Sequence, residues 1–277
     1  VSGGDVALVR RARVRTPRAD LHVRWVQGPD ATCAWVLLHQ SPLSSRRFEP
    51  LLPELGRWSD AYAPDTPGYG DSLAVDGDWR VPDHADALWG GIDQLTDLPV
   101  YLLGRATGTV MAVEMARARP ERVRHLVLHG LPVYTEGEKA DRLAGFAPPY
   151  VPSADGSHLD WIWRRIRGEY PWAPPEMVTS MVADYLAAGP DFACAYRAIW
   201  RYDLHAALGE VERSGLPTTL LAGGRDRIGY MHERAVAALP WAASRVLPEA
   251  TDFVAEQNPR DFAGLLREVV ARDAPGR

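Results

Sequence analysis

Residues 100–118 decide the fold of this 277-residue chain: Val100-Tyr-Leu-Leu-Gly104-Arg105-Ala106-Thr107-Gly108-Thr-Val-Met-Ala-Val-Glu-Met-Ala-Arg-Ala118. Val100–Leu103 is an apolar run of strand length, and Val110–Ala118 is rich in helix formers. The five residues between leave room only for a tight turn bounded by glycines. Outward from this unit the same alternation repeats. Ala34–Leu38 and Val123–Leu128 read as strands covered on both faces. Ala61–Ala63, Thr218–Ala222 and Arg245–Leu247 read as further strands, and 49–55, 83–96, 231–238 and 259–271 as helices. Val6–Val14 and Leu21–Val26 alternate apolar with polar, as a half-buried hairpin does. Strands alternating with helices imply a mostly parallel sheet clothed on both faces. The pattern breaks at 134–208, which is dense in Trp, Tyr and Pro, with helical stretches near 158–167, 175–188 and 191–201. It reads as a helical cap inserted into a core made of 1–133 and 209–277.

Five segments then line up in order. Leu37-Leu-His-Gln-Ser-Pro42 follows the third strand. Asp65-Thr-Pro-Gly-Tyr-Gly-Asp-Ser72 follows the fourth. The elbow at 104–108 comes next, then Leu220-Leu-Ala-Gly-Gly-Arg-Asp226, then Pro248-Glu-Ala-Thr-Asp252-Phe-Val-Ala-Glu-Gln-Asn-Pro259. Together they resemble the α/β-hydrolase superfamily: its HG-x-P segment, its D-x-P-G-x-G-x-S loop, its G-x-S-x-G nucleophile elbow, its acid-bearing strand end and its histidine loop. The resemblance spans nearly the whole chain. It implies an α/β-hydrolase fold, a mostly parallel eight-stranded sheet with an inserted cap.

The chemistry departs from that pattern. Ala106 stands where the nucleophilic serine belongs, and Asp252 where the histidine belongs; Asp226 alone matches. A triad needs a hydroxyl to attack and an imidazole to carry its proton, so an ordinary serine hydrolase is not expected. Asp226 and Asp252, if adjacent, make a candidate acid/base pair sharing a proton; the alternative pairs Asp226 with Arg225 or Arg227. His129 ends the sixth strand, at the edge where open parallel sheets bind ligands, and is the third catalytic candidate. The N–H groups of Ser41 and Thr107 are expected to form an oxyanion hole, with the Thr107 hydroxyl directed along the helix. His39 is expected to be structural. Gln40, Ala106, His158, Trp161 and Trp200 are candidates for lining a largely apolar pocket, suited to a polycyclic or polyketide-like molecule.

Three readings follow: cofactor-free, non-hydrolytic acid/base chemistry (cyclisation, elimination, isomerisation or C–C cleavage) on an apolar small molecule; hydrolysis by direct water attack; or ligand binding without turnover. The net charge of −5 and the absence of a basic block argue against a nucleic-acid surface. No histidine pair has metal-ligand spacing, so neither metal nor cofactor is expected. Lys139, the one lysine, lies in a polar stretch ill suited to a Schiff base. Cys33 and Cys194 read as buried thiols. With no apolar leader and no membrane-length run, a cytoplasmic protein is expected. A homodimer stays open.

Overall fold

The computed structural model describes residues 7–73 and 77–271. In chain order the elements are β1 (Arg10–Arg15), β2 (Asp20–Val26), β3 (Ala34–Leu38), α1 (Leu52–Leu55), β4 (Asp60–Pro64), α2 (Val81–Ile92), β5 (Val100–Arg105), α3 (Thr107–Ala118) and β6 (Val123–His129). The cap follows with α4 (Glu136–Gly145), α5 (Ser157–Glu169), α6 (Pro175–Ala188) and α7 (Cys194–Trp200). The chain continues with α8 (Leu204–Arg213), inside which the boundary expected at 208 falls, and then with β7 (Thr218–Gly223), α9 (His232–Ala238), β8 (Ala243–Leu247), α10 (Val254–Gln257) and α11 (Pro259–Ala271). Among the described residues no helix is long and apolar enough to cross a membrane.

The sheet runs β1-β2-β4-β3-β5-β6-β7-β8. β2 is antiparallel to β1 and β4, and every other pair is parallel. All five residues of β3 and of β4 are buried, as strands covered on both faces must be. One face carries α2, α3 and α8 with the cap above them; the other carries α1 and α11. Register matters most at β5 and β6, where Gly104 pairs with Leu128 and Arg105 with His129. Both strands therefore end at the same level, and the elbow and the start of the cap meet at one rim.

The hairpin forms with Arg10 opposite Trp25 and Arg15 opposite Asp20; Val6, where β1 was expected to begin, lies outside the described residues. Two helices escape the periodicity reading. Helix α4 has no buried residue to print a stripe, and starts from a capping box in which Thr135 and Glu138 satisfy each other's backbone N–H groups. Helix α8 begins where Asp203 accepts from the Ala206 N–H at 3.0 Å. Its buried Leu204, Ala207, Leu208 and Val211 pack toward α3. The expected helix over 83–96 runs Val81–Ile92, because Pro82 suits a first turn, where its missing N–H is no loss.

Candidate active site beneath the cap

The elbow keeps the backbone of a nucleophile turn without a nucleophile. Ala106 sits at φ 46°, ψ −116°; Asp30 is the other described non-glycine residue with positive φ. Such a conformation costs about 1–3 kcal/mol and persists only where its surroundings enforce it. Here the Ala106 N–H donates to the His129 carbonyl at 3.0 Å. A Cβ on Gly108 would land on the Leu38 carbonyl oxygen, so α3 presses against the end of β3. The strained turn thus aims a methyl group at the space beneath the cap.

Arg105, passed over in the motif reading, organises the site. Its guanidinium is buried between the two triad-position carboxylates: Nη2 lies 3.1 Å from Asp226 Oδ2 and 3.0 Å from Asp252 Oδ2. Nε donates to the Asp252 carbonyl at 2.8 Å and Nη1 to the His129 carbonyl at 3.2 Å. The remaining carboxylate oxygens are held by backbone: Asp252 Oδ1 accepts from the Arg227 N–H at 2.9 Å, and Asp226 Oδ1 from the Ile228 N–H at 2.8 Å. The two aspartates do come together, with the Arg105 guanidinium between them. Asp226 does not pair with Arg225 or Arg227; Arg225 reaches Glu249 instead.

The corner expected to form an oxyanion hole is arranged differently. The Ser41 N–H donates to the Thr107 hydroxyl at 2.6 Å, so that donor is already engaged. The hydroxyl does not run along the helix as expected. Tyr196 closes the same corner, its hydroxyl donating to the Ser41 carbonyl at 2.6 Å. Burial holds that phenol well above its usual range, with Tyr185 and Glu169 adding to the shift. Gln40 Nε2 donates to Tyr170 at 3.2 Å.

These residues wall a cavity of about 190 Å³ lined by Gln40, Ser41, Arg105, Ala106, Thr107, Pro132, Tyr134, Arg142, Phe146, Tyr196, Arg227, Ile228, Tyr230 and Asp252. Three arginines and an aspartate make it mixed rather than largely apolar. A dry cavity of about 150 Å³ takes benzene, so this one has room for at least a single ring or a short chain.

His129 is not in that cavity. It faces a separate, water-sized space of about 20 Å³ on the far side of Arg105 and Asp252, shared with His39, Arg47, Phe48 and Phe262. Its Nε2 is buried without a partner. Burial, then the Arg105 charge, hold its imidazole well below the usual histidine range, against a smaller pull from Asp252. His39 is tied at both nitrogens, Nδ1 to the Gln40 carbonyl and Nε2 to the Thr66 N–H. His158 stacks on Tyr150 and accepts from the Ser153 N–H, away from the cavity. Trp161 packs on Phe192 inside the cap. Trp200 stands behind the wall, stacked on Tyr196 and edge-on to Phe146. Arg142 and Tyr196 went unassigned because spacing in the cap does not say which side faces in; Arg227, in the loop after β7, had been read only as a possible partner of Asp226. Arg105 had one signal: two aspartates at triad positions, with no histidine, need a cation. Cys33 and Cys194 are half-buried free thiols, and Cys194 donates to the Tyr69 hydroxyl.

Spacing also hides His22, Asp65 and Asp71, whose ligand-type atoms lie within 4.8 Å of one another. Arg24 stands among them, 3.6 Å from Asp65 and 3.7 Å from Asp71, so the positive charge of that cluster is already supplied.

Residues 35–155 match the family model of the alpha/beta hydrolase fold. A pimeloyl-[acyl-carrier protein] methyl ester esterase of Neisseria meningitidis is 32% identical over 256 residues, 87% of this chain and 94% of that enzyme. The chain belongs to the α/β-hydrolase fold family. A haloalkane dehalogenase of Mesorhizobium japonicum is 32% identical over 111 residues, 40% of this hydrolase-fold chain and 36% of that protein. A solved hydrolase from Pseudomonas aeruginosa superposes with a TM-score of 0.76 at 20% identity, over 97% of this chain and 99% of that one.

Proposed function

We propose that this chain hydrolyses a small molecule by direct attack of water, without a covalent intermediate on the elbow. The observation that carries this reading is Asp252, whose carboxylate lines the cavity beside Ala106 while Arg105 and the Arg227 N–H hold one oxygen each. A carboxylate oxygen accepts more than one hydrogen bond, so Asp252 has capacity left for a water in the space that the Ala106 methyl leaves open. The water oxygen bonds to the substrate's electrophilic carbon while one water proton passes to Asp252; the bond from that carbon to the leaving oxygen then breaks, and the proton held by Asp252 passes to the departing oxygen. The relatives named as an esterase and a dehalogenase make hydrolysis the simplest chemistry for such a cavity. Non-hydrolytic proton transfer draws no comparable support from relatives with such names.

Binding without turnover is the second reading, favoured by the Ser41–Thr107 hydrogen bond, which engages an oxyanion donor. One such donor is worth about 10²–10³ in turnover. The test is a panel of small aryl and short-chain esters in ¹⁸O-labelled water under single-turnover conditions. Water attack places solvent oxygen in the acid product in the first turnover, and Asp252→Asn slows it by about 10²–10⁴. Enzyme-derived oxygen in that first product makes Asp252 a nucleophile and overturns the mechanism. Ligand affinity with no turnover above the Asp252→Asn background establishes the binding reading.

A further inference from the structure

Three arginines line the cavity, and their charges are answered unequally. Arg105 has Asp226 and Asp252. Arg227 has Glu169 at 3.6 Å and lies over the Tyr170 ring. Arg142, on α4, has aromatic faces only: its guanidinium carbon stands 4.6 Å from the Tyr134 ring centroid and 5.1 Å from that of Phe146. Among the described residues no carboxylate lies within 4.0 Å of its nitrogens, and its Nε is buried without a hydrogen-bond partner.

We infer that the ligand of this cavity carries a carboxylate, or an anion of the same shape, and that Arg142 is its counter-ion. The inference deepens the proposed function and rests on its assignment of the cavity as the ligand site. A buried guanidinium N–H without an acceptor carries a desolvation cost that an incoming oxygen relieves. A planar guanidinium resting against two aromatic rings offers the paired N–H donors that a carboxylate accepts. Tyr134 and Phe146 belong to the same wall, so an apolar body beside the carboxylate meets aromatic faces. The volume gives that body room for at least one ring or a short chain. The ligand is thus a small amphipathic acid, or an ester or amide of a diacid that keeps one carboxylate free.

Calorimetric titration with phenylacetate, hexanoate and their amides tests this. The acids should bind the wild type at least tenfold tighter than the matching amides. Arg142→Gln should abolish that preference, and Arg142→Lys should restore part of it; thermal melts of both variants check the fold. Equal affinity of acid and amide for the wild type overturns the inference, as does an acid preference that survives Arg142→Gln. The site assignment fails separately: in that case Ala106→Trp, which fills the cavity, leaves acid and amide binding alike unchanged. No binding by any of the four probes counts against both.

Discussion

Arg24 and Arg105 are both arginines buried against aspartates, in two parts of one molecule. Arg24 donates to Ser45 and lies near Asp65, whose carboxylate also meets His22 and accepts the Ser45 and Asp71 N–H groups. Burial alone would raise the Asp65 carboxyl, yet the hydrogen bond with His22, the nearby His39 and the other donors hold it well below the ordinary range. That cluster fastens the loop 65–72 to β2 and borders none of the cavities described above. Arg105 is built from the same pieces, but one of its aspartates lines a 190 Å³ cavity. A buried ion pair is by itself weak support for stability and none for function. What separates the two clusters is access to a space that a ligand can enter.

The largest effect should come from removing each cation in turn. Arg24→Leu and Arg105→Leu should each destabilise by about 3–5 kcal/mol in denaturant unfolding, because each leaves buried carboxylates uncompensated. Only the Arg105 variant should also change ligand affinity; an equal change in both would break the comparison.

A smaller loss is expected from the backbone around each cluster. Gly70 has φ +57°, and a Cβ there would strike the Asp65 carboxylate, so Gly70→Ala should cost about 1–3 kcal/mol. Thr107→Ala frees the buried Ser41 N–H and should cost about 1–3 kcal/mol. It should also raise ester turnover by vacating an oxyanion donor. Faster turnover in the Gly70 variant, or none in the Thr107 variant, would contradict the division of roles.

A third cluster sharpens the picture through pH. Arg47 joins Glu256 at 3.0 Å and Asp184 of the cap at 3.5 Å. Burial raises Glu256 to about 7 despite the opposing pull of Arg47. A carboxyl raised in the folded state binds more protons there than in the unfolded chain. Its contribution therefore declines as pH climbs from its ordinary 4.5 to about 7. Glu256→Gln should flatten that stretch of the melting-temperature profile by a few degrees relative to wild type. Parallel profiles would remove Glu256 from the titration.

The smallest effect is expected from restoring the triad by two side chains. Ala106→Ser with Asp252→His should leave esterase activity near background, because Arg105 would face the new imidazole and Thr107 still engages the Ser41 N–H. Robust activity in the double variant would show that neither contact obstructs chemistry.

The parallel sheet, the elbow and the cap insertion were legible because each is written locally, in apolar period, glycine spacing and short motifs. The tertiary structure alone decided which groups meet. Arg105 reaches Asp226 across 121 residues and the Asp252 carbonyl across 147, a pairing that no local pattern encodes. It also turned His129 toward the far side of the sheet and the Thr107 hydroxyl onto Ser41. Along a helix or strand, periodicity states which face is buried; for a single polar side chain at a strand end, the direction depends on which distant donor or acceptor satisfies it.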